Sequence, residues 1–146
     1  MPSELLLHSR LEAELRALRN RDKRWRGAVD TAIRKLLSDP YTAGSRLQGL
    51  ADRELQGRVR RLYVGGDGGY RLFYWLPTLK ARPELKLAIP IYLSESPRSG
   101  FDYDSSDLDE VGMNVVRDYR AGKLACFRRF QHSAVLSHYL DQPQPK

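Results

Sequence analysis

The segment from Arg58 to Trp75 concentrates the residue types that handle polyanions. Arg58, Arg60 and Arg61 precede Tyr63, and Tyr70, Arg71 and Tyr74 follow a run of glycines. A guanidinium meets a phosphate through two parallel N–H donors, and tyrosine rings give bases a surface to stack on. Period-two alternation sets Leu62 and Val64 on an inward face, which turns Arg61 and Tyr63 outward. Arg71 shares its face with Phe73 and Trp75 in the next strand. Singly, each arginine fits a solvated sheet face. As a cluster they favour polyanion binding.

Other motifs point less far. Gly65 to Gly69 joins two strands, whereas phosphate-cradling glycine loops run from a strand into a helix, so it reads as a turn. Asp102 to Glu110 holds five carboxylates in nine residues. It lacks the central glycine and the terminal glutamate spacing of a calcium loop, and fits a helix N-terminus. His8, His132 and His138 form no i, i+4 pair beside a glutamate, and Cys126 is the only cysteine. Neither a metal site nor a cofactor is expected, and no disulfide can form within the chain.

These residues need elements to carry them. Glu4 to His8 fits a short strand, and Ser9 with Glu12 fits a capping box opening a helix near 9–20 on Leu11, Leu15 and Leu18. Trp25, Val29, Ala32, Ile33, Leu36 and Leu37 make a second helical stripe that stops before Pro40. Residues 41–54 read as a loop, 57–64 and 70–76 as a β-hairpin. Leu85 to Leu93 is a third strand, with Pro90 requiring a bulge or an edge position. A helix capped by Ser105 or Ser106 runs to Arg120 on Leu108, Val111, Val115, Val116 and Tyr119, ending at Gly122. Leu124 to Phe130 fits strand or helix. The expected class is α+β, with two N-terminal helices packed on a small antiparallel sheet and a C-terminal helical extension over 119–146.

Composition sets the boundaries. The chain has 146 residues, 41% hydrophobic and 29% charged, which suits a single domain. Its longest apolar run, Leu87 to Leu93, is far shorter than the roughly 20 residues of a membrane helix. Met1 to His8 has no basic region ahead of its leucines, so neither a signal peptide nor a membrane is expected, and a cytoplasmic location is. The net charge is +7, and 19 of the 25 basic residues are arginine. Charge is distributed as +8 over 1–98, −5 over 99–118 and +4 over 119–146. A basic body implies a polyanionic partner, although codon usage in a GC-rich genome also enriches arginine.

Four stretches taken in order resemble the RelE/ParE superfamily of bacterial toxins from toxin–antitoxin pairs. They are Arg34 to Pro40, Ser45 to Leu50, Arg60 to Val64, and Gly69 to Tyr74. Ser9 to Leu18 is similar to the family's first helix, and Leu108 to Val111 after the third strand is similar to its HigB-like branch. The likeness spans about 5–118 and leaves 119–146 as an extension. For the RelE and HigB branches it implies metal-independent endoribonuclease cleavage of mRNA on the ribosome, inhibition of translation, and an acidic antitoxin as partner. By position, Arg71 would contact the scissile phosphate, with Arg61 or Arg60 beside it, and Arg98 and Tyr103 completing the catalytic set. Arg58, Arg60, Tyr63 and Tyr74 would then contact RNA. The strands hold arginine where the family often has lysine or histidine, and Tyr92 is followed by Leu93 and Ser94 where a HigB-like lysine would fall. Two alternatives follow: a ParE-like inhibitor of DNA gyrase, or a non-catalytic RNA-binding relative.

Overall fold

The computed structural model describes residues 3–46, 55, 58–65, 69–77, 85–95 and 108–131. The chain runs through β1 (Ser3–His8), α1 (Ser9–Arg19), α2 (Lys23–Ser38), α3 (Pro40–Ala43), β2 (Ser45–Arg46), β3 (Val59–Val64), β4 (Tyr70–Trp75) and β5 (Lys86–Glu95). A π-helical turn (Leu108–Gly112) then leads into α4 (Met113–Arg120), and a 3-10 turn (Leu124–Cys126) into β6 (Phe127–Phe130). The class is α+β. No helix among the described residues is long and apolar enough to cross a membrane.

The two N-terminal helices form on the stripes that the sequence prescribes. Leu11, Leu15 and Leu18 bury one side of α1, and Val29, Ile33 and Leu36 bury one side of α2. Arg19 and Asp30 tie the pair together through contacts of 2.8 and 3.2 Å. The cap of α1 differs from the expected capping box. His8 Nδ1 accepts the Arg10 N–H at 3.1 Å, so the ring takes the place assigned to the Ser9 hydroxyl. At the other turn, Asp22 caps α2 by accepting the Trp25 N–H, and Asp39 caps α3 by accepting that of Tyr41.

The sheet departs from expectation in two ways. Its six strands lie in the order β2-β3-β4-β5-β1-β6, and β1 runs parallel to β5, so the sheet is mixed rather than antiparallel. It also takes in the chain's first described element, a strand ahead of both helices. The physical reason is the meander: β3 and β5, each antiparallel to β4, point the same way, and β1 joins the free side of β5 in that same direction. The second departure is β6. Residues expected in a helical extension instead pair antiparallel with β1, from Leu5 opposite Phe130 to His8 opposite Phe127. The outer edge of β1 would otherwise expose unpaired backbone groups. Buried Phe130, and the ion pairs of Arg128 with Glu12 and Arg129 with Glu4, hold β6 there.

Alternation distributes the side chains to two covered faces. Tyr70, Leu72 and Tyr74 point toward α2 and α3, where Trp25 meets Tyr70 edge-on and the Tyr74 hydroxyl donates to the Pro40 carbonyl at 2.8 Å. Arg71, Phe73 and Trp75 take the opposite face, where Trp75 meets Tyr119 of α4 edge-on. Pro90 sits at the expected bulge: Phe73 pairs with Tyr92 and Tyr74 with Pro90, so Ile91 is the extra residue. The strand is interior, not an edge. The loop expected from Tyr41 holds most of α3 and all of β2 within its described part. Ser105 and Ser106, expected to cap the last helix, lie outside the described residues.

Gly44 is where α3 passes against the hairpin. A Cβ there would lie 2.5 Å from the Arg61 carbonyl oxygen and 2.8 Å from the Tyr74 hydroxyl. Gly44→Ala is expected to lower stability by about 1–3 kcal/mol, the usual cost of overpacking. The urea midpoint of the purified variant reads this directly, and an unchanged midpoint would refute the tight fit.

Candidate nucleic-acid interface

Cross-strand register gathers three of the expected residues. Tyr63 lies opposite Arg71, Arg71 opposite Ser94, and Arg61 opposite Phe73, so all share one face. The Arg61 guanidinium sits over the Tyr63 ring, 5.3 Å from its centroid. Tyr63 is 40% exposed, Arg61 half-buried and Arg71 only 2% exposed. Further along the face, Phe73 stacks on Tyr92 at 5.8 Å, and Trp75 is covered by Tyr119 and by Arg120. The face is therefore closed at the Trp75 end, while the Tyr63 ring meets solvent at the hairpin end and Arg61 is half-buried, with its Nε and Nη1 out of reach of water. Arg71 lies directly opposite Tyr63, set into the sheet and engaged in contacts of its own.

The remaining expected residues fall elsewhere. Arg60 is opposite Tyr74 and shares its face, toward the helices. Tyr74, expected among the RNA contacts, is fully buried, and its hydroxyl is committed to Pro40. Burial pushes its phenol up to about 12, opposed by a hydrogen bond from the Gly44 backbone and by the Arg60 charge. A phenol held in that state neither stacks on a base nor exchanges a proton near neutrality, so Tyr74 is an anchor between β4 and α3. Arg58 is exposed at the turn entering β3, where its carbonyl accepts the Leu76 N–H at 2.8 Å. Arg98 and Tyr103 lie outside the described residues.

Folding also assembles a constellation with no signature in the sequence. His8, Asp118 and Cys126 bring one ligand atom each to within 4.8 Å of one another. The ring chemistry argues against a metal. His8 Nδ1 already accepts the Arg10 N–H, so the ring proton sits on Nε2 and is donated to Asp118 Oδ2 at 2.8 Å. A metal on Nε2 would move that proton to Nδ1, against the Arg10 N–H. With both nitrogens committed, neither can deprotonate the Cys126 thiol. The group acts as a clamp from the β1–α1 junction to α4. Its members come from distant parts of the chain, so no local spacing could have found it.

No family model, curated protein or solved structure matches the chain. Function is therefore read from the exposed end of the Arg61–Tyr63–Arg71 face, whose charges are fixed. Arginine stays protonated, so it can bind an oxyanion but cannot accept a proton. Tyr63 supplies a hydroxyl on the exposed part of the face.

The clamp has a pH signature. The hydrogen bond from His8 holds the Asp118 carboxyl below the usual aspartate range; burial opposes it, and the Lys123 charge adds to it. Because the folded value is the lower one, the clamp's contribution is complete above the unfolded value of about 3.9 and is lost as pH falls through the folded value. Urea midpoints of wild type and Asp118→Asn, taken from about pH 6 down to pH 2, are expected to differ most at the upper end and to converge at the lower. Parallel curves would show that the carboxylate adds nothing.

Proposed function

We propose that the chain is a toxin of a type II toxin–antitoxin pair of the RelE/HigB kind. It would act as a metal-independent endoribonuclease on mRNA at the ribosome and be neutralised by an acidic antitoxin. The observation that carries this reading is the adjacency of Arg61, Tyr63 and Arg71 on one sheet face, with Arg61 stacked on an exposed tyrosine. The resemblance set out in the sequence supports it, as does the net charge of +7. The mixed sheet and β6 go beyond the layout that resemblance implies.

The chemistry suits fixed positive charge. The 2′-hydroxyl oxygen of the RNA attacks the adjacent phosphorus, and its proton passes to a base. The bond from phosphorus to the 5′-oxygen breaks, and that oxygen takes up a proton as it leaves. The products are a 2′,3′-cyclic phosphate and a free 5′-hydroxyl. Negative charge builds on the non-bridging oxygens, where a pre-oriented guanidinium stabilises it more than in the ground state. Arg61, half-buried beside the exposed Tyr63 ring, would do this, and Arg71 would add charge from within the sheet. Tyr63 is the group on this face able to pass a proton.

The burial of Arg71 favours a second reading, in which the same face binds without reacting, as in a gyrase-inhibiting or non-catalytic relative. Inducible expression in a bacterial host separates the two. Wild type is expected to arrest growth and generate new mRNA ends. Arg61→Ala should cut cleavage about a hundredfold, the usual effect of removing one oxyanion donor, and leave the circular dichroism spectrum unchanged. Arrest with intact mRNA would move the assignment to gyrase, and unimpaired growth would leave a non-catalytic relative.

A further inference from the structure

We propose that the α1–α2 turn, packed on Gly65 and Tyr70 of the β3–β4 hairpin, forms a second docking surface for an RNA backbone, on the side of the hairpin opposite Arg61 and Tyr63. Residues 19–26 hold five cations and one carboxylate. Two of the charges are already spoken for: Arg19 is buried against Asp30, and Asp22 caps α2. Arg21, Lys23 and Arg24 are exposed, and no ion pair among the described residues engages them.

The aromatic framework beneath these cations is rigid. Trp25 and Tyr70 meet edge-on at 5.4 Å, and Trp25 presses on Gly65 at the end of β3, where a Cβ would lie 2.6 Å from its ring. Gly65 has a φ of +83°, a backbone that also favours glycine at this contact. Arg24 lies over the Trp25 ring at 4.7 Å and Arg21 over Tyr70 at 5.5 Å. A guanidinium stacked in this way keeps its in-plane N–H edge for a phosphate, at little cost in side-chain freedom. The rings are taken up by one another and by the arginines, so bases gain no platform. The contact would be to phosphate and indifferent to sequence.

The first turn of α2 has no acidic residue, and cations there oppose the helix macrodipole. An RNA strand crossing the hairpin would meet this surface on one side and Arg61 with Tyr63 on the other. The choice of RNA over another polyanion rests on the function proposed above.

Fluorescence anisotropy of the full chain with a short 2′-O-methyl RNA, which cannot be cleaved, tests binding apart from chemistry. In the triple variant Arg21→Gln, Lys23→Gln, Arg24→Gln, affinity at low salt is expected to fall at least about tenfold. The slope of log affinity against log salt should drop by about 2, at roughly 0.7 for each phosphate that the variant no longer neutralises. Arg21→Lys with Arg24→Lys should keep most of that slope, which separates charge from packing. Unchanged affinity and slope in the triple variant would overturn the proposal, as would loss of binding to a polyglutamate peptide with RNA binding intact. Reduced RNA affinity in a protein that cleaves no mRNA would sustain this surface and remove the endoribonuclease. Active cleavage with a fully binding triple variant would do the reverse.

Discussion

Strand β4 has to be covered on both faces. Leu72, Phe73, Tyr74 and Trp75 are each fully buried, so neither side of this strand can be left to water. Burying a side chain of that size is worth about 1.5–3 kcal/mol, and losing the cover from either face would forfeit several such terms at once. α2 and α3 close one side through Trp25 and Pro40. On the other side α4 closes the end at Trp75 but not the end beside Tyr63. The position of the candidate interface follows from that unequal cover. On that face Trp75 is buried beneath α4 and Tyr63 is exposed at the hairpin end, while Arg71, directly opposite Tyr63, is buried within the sheet.

Covering β4 requires β1 and β6 to stay in place, and charged side chains do much of that work. Glu4 and Glu12 are almost wholly buried, and Arg129 and Arg128 of β6 reach them. Arg16 also donates to Glu12, and Gln131 to Glu4. A buried pair of this kind is often no better than well-packed hydrophobic residues, but removing one partner leaves a charge stranded, which is costly. The pairs therefore fix where β6 lies along β1 more than they stabilise it. His8 adds a third tie by capping α1 and holding α4 through Asp118, so one side chain links β1, α1 and α4.

Much of the local structure is legible in the sequence because its cause is local. Leu11, Leu15 and Leu18, and then Val29, Ile33 and Leu36, repeat at the helical period, and both helices form over the expected spans within a few residues. Alternation from Val59 to Val64 sets Arg61 and Tyr63 on one face, as found. Pro90 lacks an N–H, which is reason enough to expect its bulge. The cap of α1 is not legible in the same way. His8 competes with Ser9 to cap the helix, and only the placement of Asp118 orients the ring to win.

The chain's sequence by itself determined where most helices and strands form, which side of each is apolar, and that the chain is strongly basic. Tertiary structure decided that β1 runs parallel to β5, that Phe127 to Phe130 form a sixth strand, and that Tyr74 is an anchor rather than a contact residue. It also brought Arg21 and Arg24 onto the rings of Tyr70 and Trp25. The physical reason is one of range. Helical and strand periods are written in neighbouring residues, and a strand alternates identically whichever way its partner runs. Pairing direction and solvent exposure instead depend on which distant segments arrive to cover a surface, and no short stretch of sequence carries that information.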